Sequence, residues 1–275
     1  MASRVVFPQS RIQEQRRKRR AWMTGGYMLL SICFVGGLIA LSWIPQWRVS
    51  IVEVTGTQII ATSSVVGYVQ NELVGRDIYL FPKNNVLWYP KQEIIASLPV
   101  EFPMLQSASI ELQNLHTIVV HVSERSAQAL WCGEQMATGT PCYLLDGSGL
   151  LYTLAANYSS NVYIDYYGPA AQSVLPRQYL EPAQFESLSA LVAAFGEKEA
   201  TDSIQSVSVD ATGNTQVVFA SGFVLMFTLS QNPSDLLNRF SLALTTALFT
   251  AHPLSNFSYL DMRFGDKLYY KLKGQ

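Results

Sequence analysis

Apolar positions follow two different rhythms along this chain. From Ala21 to Trp47 no residue is charged, and Met28 to Ile44 is almost wholly apolar, through Leu29, Leu30, Ile32, Phe34, Val35, Leu38, Ile39 and Leu41. A run of that length predicts one helix that crosses ~30 Å of hydrocarbon at ~1.5 Å per residue. Beyond Arg48 the pattern shortens. Val52 and Val54 alternate around Glu53, which predicts a strand ending at Gly56. Thr62-Ser63-Ser64 offers a cap to a helix carrying Val65, Val66, Val69 and Leu73 at helical spacing, stopped by Gly75. Pro90 opens a second helix, Lys91 to Leu98, stopped by Pro99. Strands at 109–112 and 117–122 follow, with Gln113–His116 as their turn. The predicted order is β-α-α-β-β.

Short strands come next at 127–132, 143–145 and 150–153, with Asp146-Gly147-Ser148-Gly149 as a tight turn. Residues 155–182, broken by Gly168, Pro169, Pro176 and Pro182, read as loop. Phe185, Leu188, Leu191, Val192 and Phe195 outline an amphipathic helix. Strands are expected at 204–209, 215–220 and 223–229. A helix starting at Pro233-Ser234 places Leu237, Phe240, Leu244 and Leu248 on one face. The chain closes on two strands, 257–264 and 267–273, around the two-residue turn Gly265-Asp266. The last of them carries Lys267, Lys271 and Lys273 and reads as a sheet edge, because lysines discourage indiscriminate strand pairing there.

Charge changes the picture. The net charge of the 275 residues is -1, with 49% hydrophobic residues, yet residues 1–20 carry seven basic side chains against the single acid Glu14. The remaining 12 basic and 19 acidic residues give the rest a net of -7. The positive-inside rule then sets the amino terminus in the cytoplasm and the bulk of the chain outside. Trp22, Tyr27, Trp43 and Trp47 flank the span, where amphipathic rings favour the interface. Ala40-Leu41-Ser42 resembles a cleavage site, but the long charged region and long apolar core favour a retained anchor. The expected organisation is a basic tail over 1–20, a transmembrane helix over 21–46 and two folded domains over 47–125 and 126–275.

Little chemistry is visible. His116, His121 and His252 have no partner at metal-ligand spacing, and there is no phosphate-binding glycine loop or helical His-Glu-x-x-His. Gly147-Ser148-Gly149 is not a nucleophile elbow, which needs a strand-to-helix junction and wider spacing. No enzyme, cofactor, metal, nucleic acid or small-molecule substrate is expected. Cys33 lies in the span as a small apolar residue. Cys132 and Cys142 bracket a loop on the oxidising side of the membrane, where they either pair or stay free.

Several short motifs share an order: Val52-Glu53-Val54-Thr55-Gly56, Leu98-Pro99, Ser107-Ala108-Ser109-Ile110 and Val120-His121-Val122-Ser123-Glu124-Arg125. They are followed by Leu144-Leu145-Asp146-Gly147-Ser148-Gly149-Leu150-Leu151-Tyr152, Tyr167-Gly168-Pro169 and Tyr259-Leu260-Asp261-Met262-Arg263-Phe264. In this order, behind a basic tail and one anchor, they resemble the bacterial cell-division proteins FtsQ and DivIB. The resemblance implies an α+β chain: a transmembrane helix, a POTRA domain over 47–125, and a second domain over 126–275 whose antiparallel sheet ends in a carboxyl-terminal edge hairpin. It implies a non-enzymatic divisome scaffold in the inner membrane, concentrated at the septum, with its carboxyl-terminal domain periplasmic. Such a scaffold recruits FtsB-like and FtsL-like partners and helps control septal peptidoglycan synthesis. The FtsB-like partner is expected to add a strand to the sheet edge. That maps partner contacts onto Tyr259, Arg263, Phe264, Asp266, Lys267, Leu268, Tyr269 and Tyr270. Core packing beside Leu260 and Met262 is the other reading for Phe264, and an internal pair with Asp261 the other for Arg263. Another membrane-anchored POTRA protein, serving secretion or outer-membrane assembly, is the alternative function.

Overall fold

The computed structural model describes residues 11–77, 81–136, 140–155, 162–171, 174–199 and 201–274. It is a mixed α+β chain. The first element, α1 (Arg11–Ser42), is one continuous helix that takes in the basic run Arg16–Arg20 as well as the apolar run. Arg16–Ser42 is long and apolar enough to cross a membrane, and none of its most apolar window is buried within the protein. The helix stops at Ser42 rather than at 46. Ile44 precedes Pro45, which disfavours helical backbone at that position, and Ile44 is extended with a single 3-10 turn, Pro45–Trp47, behind it.

The described chain divides into two compact units, Met1–Leu98 with Ser107–Val122, and Pro99–Gln106 with Ser123–Gln275. The division falls at Val122–Ser123 rather than after 125. The segment 99–106 belongs with the second unit because Arg125 holds it: its N–H donates to the Met104 carbonyl at 2.7 Å and its Nε to the Pro103 carbonyl at 3.1 Å.

Beyond α1 the chain runs β1 (Ile51–Thr55), α2 (Thr62–Glu72), β2 (Arg76–Asp77), β3 (Phe81–Pro82), α3 (Lys91–Glu101), β4 (Leu105–Asn114) and β5 (Thr117–Glu124). The sheet order is β1-β5-β4, with β1 parallel to β5. Val52, Val65, Val69, Ile94, Ile110, Ile118 and Val120 are buried, one face of each element. Gly56 ends β1 with φ +94°, and a Cβ there would stand 1.9 Å from the Val122 carbonyl oxygen, so only glycine fits. Two expectations fail in detail. The cap of α2 is Ala61, without a side-chain bond, because Thr62 is already helical and its hydroxyl bonds that of Thr57 at 2.7 Å. Pro99 lies inside α3 instead of stopping it. In the last turn it removes only one intrahelical bond.

The second unit holds a ten-stranded mixed sheet ordered β10-β8-β7-β6-β9-β11-β12-β13-β14-β15. Its strands are β6 (Ala129–Trp131), β7 (Tyr143–Leu145), β8 (Leu150–Leu154), β9 (Asp165–Tyr167), β10 (Arg177–Gln178), β11 (Ile204–Val209), β12 (Asn214–Phe219), β13 (Val224–Thr228), β14 (Phe257–Phe264) and β15 (Lys267–Leu272). The reading of 155–182 as loop misses β9, which sits mid-sheet and pairs in parallel with both β6 and β11. Three residues are too few to show alternation, yet Tyr166 and Tyr167 point to opposite faces as a strand requires. Gly168 follows at φ +138°, its Cβ position 2.2 Å from the Val209 carbonyl oxygen.

One face of this sheet carries the main core. Leu145, Val207, Val217, Leu225, Leu260 and Met262 meet α4 (Pro182–Lys198) and α5 (Pro233–Leu244). The α4 face is the one the spacing predicts, with all five apolar positions buried. Helix α5 is capped by Asn232, whose Oδ1 accepts from the Ser234 N–H at 2.9 Å. It ends at Leu244, so Leu248 sits on a separate short helix, α6 (Ala247–Ala251). A smaller cluster, Leu130, Cys132, Leu144 and Tyr152, covers part of the opposite face.

Candidate partner-binding surface

The carboxyl-terminal hairpin builds the surface of interest. Gly265 adopts φ +59° in the turn, and Phe264 pairs with Lys267 across it. β14 is held between β13 and β15, while among the described residues β15 has no strand on its far side. That open edge is pinned at its end by Lys273. Its N–H donates to the Asn256 carbonyl at 2.9 Å, and its Nζ to the Ser221 carbonyl at 2.7 Å.

A bulge decides which side chains face outward. Asp261 pairs with Tyr269 and Phe264 with Lys267, so three steps along β14 match two along β15. Strict alternation would turn Phe264 inward beside Leu260 and Met262. The extra residue reverses it, and Phe264 is 56% exposed while Met262 is fully buried. A bulge also strands a carbonyl. Here the Met262 oxygen accepts from Gln231 Nε2 at 2.9 Å and from Arg239 at 3.2 Å, so its hydrogen bonds are met by side chains.

On the outer face Tyr259, Asp261, Arg263, Phe264 and Tyr269 line a groove of about 440 Å³ with Met226 of β13. Phe264 and Tyr269 meet edge to face with ring centroids 5.3 Å apart. The Arg263 guanidinium lies 5.6 Å from the Phe264 ring. Arg263 also forks onto Asp261, with Nε 2.9 Å and Nη2 2.6 Å from its two oxygens. Burial pushes the Asp261 carboxyl up, but the Arg263 hydrogen bonds and charge outweigh it, so the group titrates below the usual carboxylate range. Arg263 is therefore engaged within the chain and serves as the frame under Phe264. Lys267 and Lys271 stand on this same outer face, paired with Phe264 and Tyr259. Leu268 and Leu272 pack instead against the core, and Tyr270 meets Phe249 and Phe257 edge-on. Asp266 is exposed at the turn.

The eight residues assigned to partner contact thus share one hairpin but split between its faces, with Leu268 and Tyr270 on the core side. Met226 in the groove, and Gln231 and Arg239 on the Met262 carbonyl behind the bulge, were not legible from the sequence. Met226 arrives because β13 runs parallel to β14 and pairs it with Asp261, a strand order that spacing along the chain does not reveal.

Elsewhere, Cys132 and Cys142 are joined by a disulfide, extending the Trp131–Tyr143 pair of β6 and β7 by one step. His121 lies on the exposed face of β5, where its Nδ1 is 2.8 Å from the Thr55 hydroxyl and its Nε2 3.7 Å from Glu111. Among the described residues no three His, Cys, Asp or Glu side chains converge as a metal site would require. No family model matches the chain, and no curated protein matches it.

Proposed function

We propose that this chain is a single-pass, non-enzymatic scaffold of the bacterial division machinery, with its amino terminus in the cytoplasm. The observation that carries the proposal is the hairpin β14–β15: an open sheet edge with an exposed aromatic pair beside it and, one strand in, a bulge that aims Phe264 at solvent. Such an edge receives a partner strand through backbone hydrogen bonds, with side chains of alternate residues setting specificity. In the first unit the short pair β2–β3 stands between α2 and α3, and the remaining β-α-α-β-β elements, with β1 parallel to β5, support reading it as a POTRA domain. The basic segment ahead of the apolar helix supports the inward amino terminus.

On this reading the partners are FtsB-like and FtsL-like membrane-anchored coiled-coil proteins, and the result of docking is control of septal peptidoglycan synthesis. A fluorescent protein fused at Met1, imaged while the native copy is depleted, tests it. A midcell band before constriction, with filamentation on depletion, is the expected result. An even envelope signal with normal division refutes it and favours a role in secretion or outer-membrane assembly.

A further inference from the structure

The end of α1 is tied to the first unit. The buried Asn85 side chain donates from Nδ2 to the Ser42 carbonyl at 2.9 Å. A carbonyl in the last turn of a helix has no intrahelical donor, so Asn85 supplies one from outside. The Val86 N–H donates to the Trp47 carbonyl at 2.9 Å, and the Val49 N–H to the Asn84 carbonyl at 2.7 Å. These bonds hold the segment around Asn85 at the point where a membrane-spanning α1 leaves the hydrocarbon.

The next residues of that segment are Leu87 and Trp88, 62% and 61% exposed. The Trp88 N–H bonds back to the Asn85 carbonyl, so the two Cα atoms are within about 7 Å. Adding the reach of the Asn85 side chain leaves the Trp88 backbone at most about 15 Å from the end of α1, against a headgroup layer of roughly 5–8 Å per side. Within that bound the two large apolar side chains can reach back to the headgroup layer, where aromatic rings anchor membrane proteins.

Arg48 adds a charge. Its guanidinium lies 5.4 Å from the Trp43 ring and lines a groove of about 450 Å³ with Trp43, Val74 and Pro82. Its Nε is buried without a hydrogen-bond partner, and among the described residues no carboxylate pairs with it. With Nε buried, the two Nη groups are what this guanidinium offers beside a bilayer, and their N–H bonds suit a phosphate.

We propose that this face of the first unit docks on the outer leaflet, with Leu87 and Trp88 in the headgroup layer and Arg48 holding a lipid phosphate. The inference rests on α1 spanning the membrane, and its test separates the two.

The full chain is reconstituted in phosphatidylglycerol vesicles doped with phosphatidylcholine brominated near the headgroup end of its chains. The emission of Trp88 is taken as the difference between the parent chain and Trp88→Phe. Quenching of that difference by half or more is expected. A difference emission untouched by brominated lipid but quenched by aqueous acrylamide overturns the docking. The emission left in Trp88→Phe reports Trp22, Trp43 and Trp47 together with Trp131, which is buried in the second unit, so a complete failure to quench would refute the span instead. Arg48→Gln is expected to halve the quenching of Trp88. Unchanged quenching there overturns the phosphate contact.

Discussion

Truncating Phe264 to Ala separates a surface residue from a core residue on the same strand. A Phe side chain presents roughly 200 Å², so at 56% exposure about 110 Å² remains for a partner to cover. At ~25 cal/mol per Å² that is about 2.8 kcal/mol, or ~100-fold in affinity, as a ceiling. Ordering and desolvation at an interface lower the realised figure, so a 10- to 100-fold rise in Kd is expected. Within the fold Phe264 loses mainly its edge-to-face contact with Tyr269, about 0.5–1.5 kcal/mol. Phe257 is the control. It is fully buried and stacked on Phe249 at 4.4 Å, so Phe257→Ala should cost about 3–5 kcal/mol. Stability is read by urea titration of the full chain in detergent micelles, and affinity by titrating a labelled FtsB-like protein, the partner proposed above. Phe264→Ala as destabilising as Phe257→Ala would mean the bulge is misplaced and Phe264 is core. An unchanged Kd with the fold intact would remove Phe264 from the partner surface.

Three other expectations follow from local chemistry. Arg125 and Asp146 form an ion pair with side chains only 15% and 8% exposed, so Arg125→Met strands a buried carboxylate and should cost about 3–5 kcal/mol in urea unfolding. Asp210 accepts hydrogen bonds from the Asn214 side chain and then Thr212, which hold its carboxyl at about 2 against the usual 3.8. That contribution is present above pH ~4 and is lost as pH falls toward 2, so Asp210→Asn should flatten acid unfolding in this window. Gly56→Ala combines a left-handed φ with a clash against the Val122 carbonyl and should destabilise by more than about 2 kcal/mol, read as a lowered Tm.

Long, periodic elements were legible in the sequence because their own residues determine them. The α4 spacing carries five apolar positions, all buried, and the terminal turn needs only Gly265 and Asp266. Features set by neighbours were not. β9 is a strand only because β6 and β11 flank it, and its three residues hold no period of their own. The bulge in β14 cannot be read from alternating Leu260, Met262 and Phe264, since that pattern predicts an inward Phe264. It becomes visible only with the β15 register and with Gln231 and Arg239 around the Met262 carbonyl. The outer character of the site therefore depends on a local break in the rule that located the strand.

An open edge in a ten-stranded sheet would template any extended chain unless its own side chains select. The opposite edge, β10, is two residues long and offers almost nothing to pair with. β15 offers six residues, and its two faces differ in chemistry. Toward the core lie Leu268, Tyr270 and Leu272, and outward lie Lys267, Tyr269 and Lys271. A strand laid on β15 would alternate apolar residues beside the first set with acidic or aromatic residues beside the second. Each directly opposed pair contributes roughly 0.2–1 kcal/mol, small beside the backbone bonds but additive along the strand. A slip of one residue exchanges the faces and places acids against the core side, so register and identity are tested together. Reversing Lys267 and Lys271 to Glu should therefore discriminate against an acidic-faced strand by ~10-fold or more while leaving the edge itself intact. Equal affinity before and after would show that the backbone alone selects, and the alternating pattern would carry no specificity.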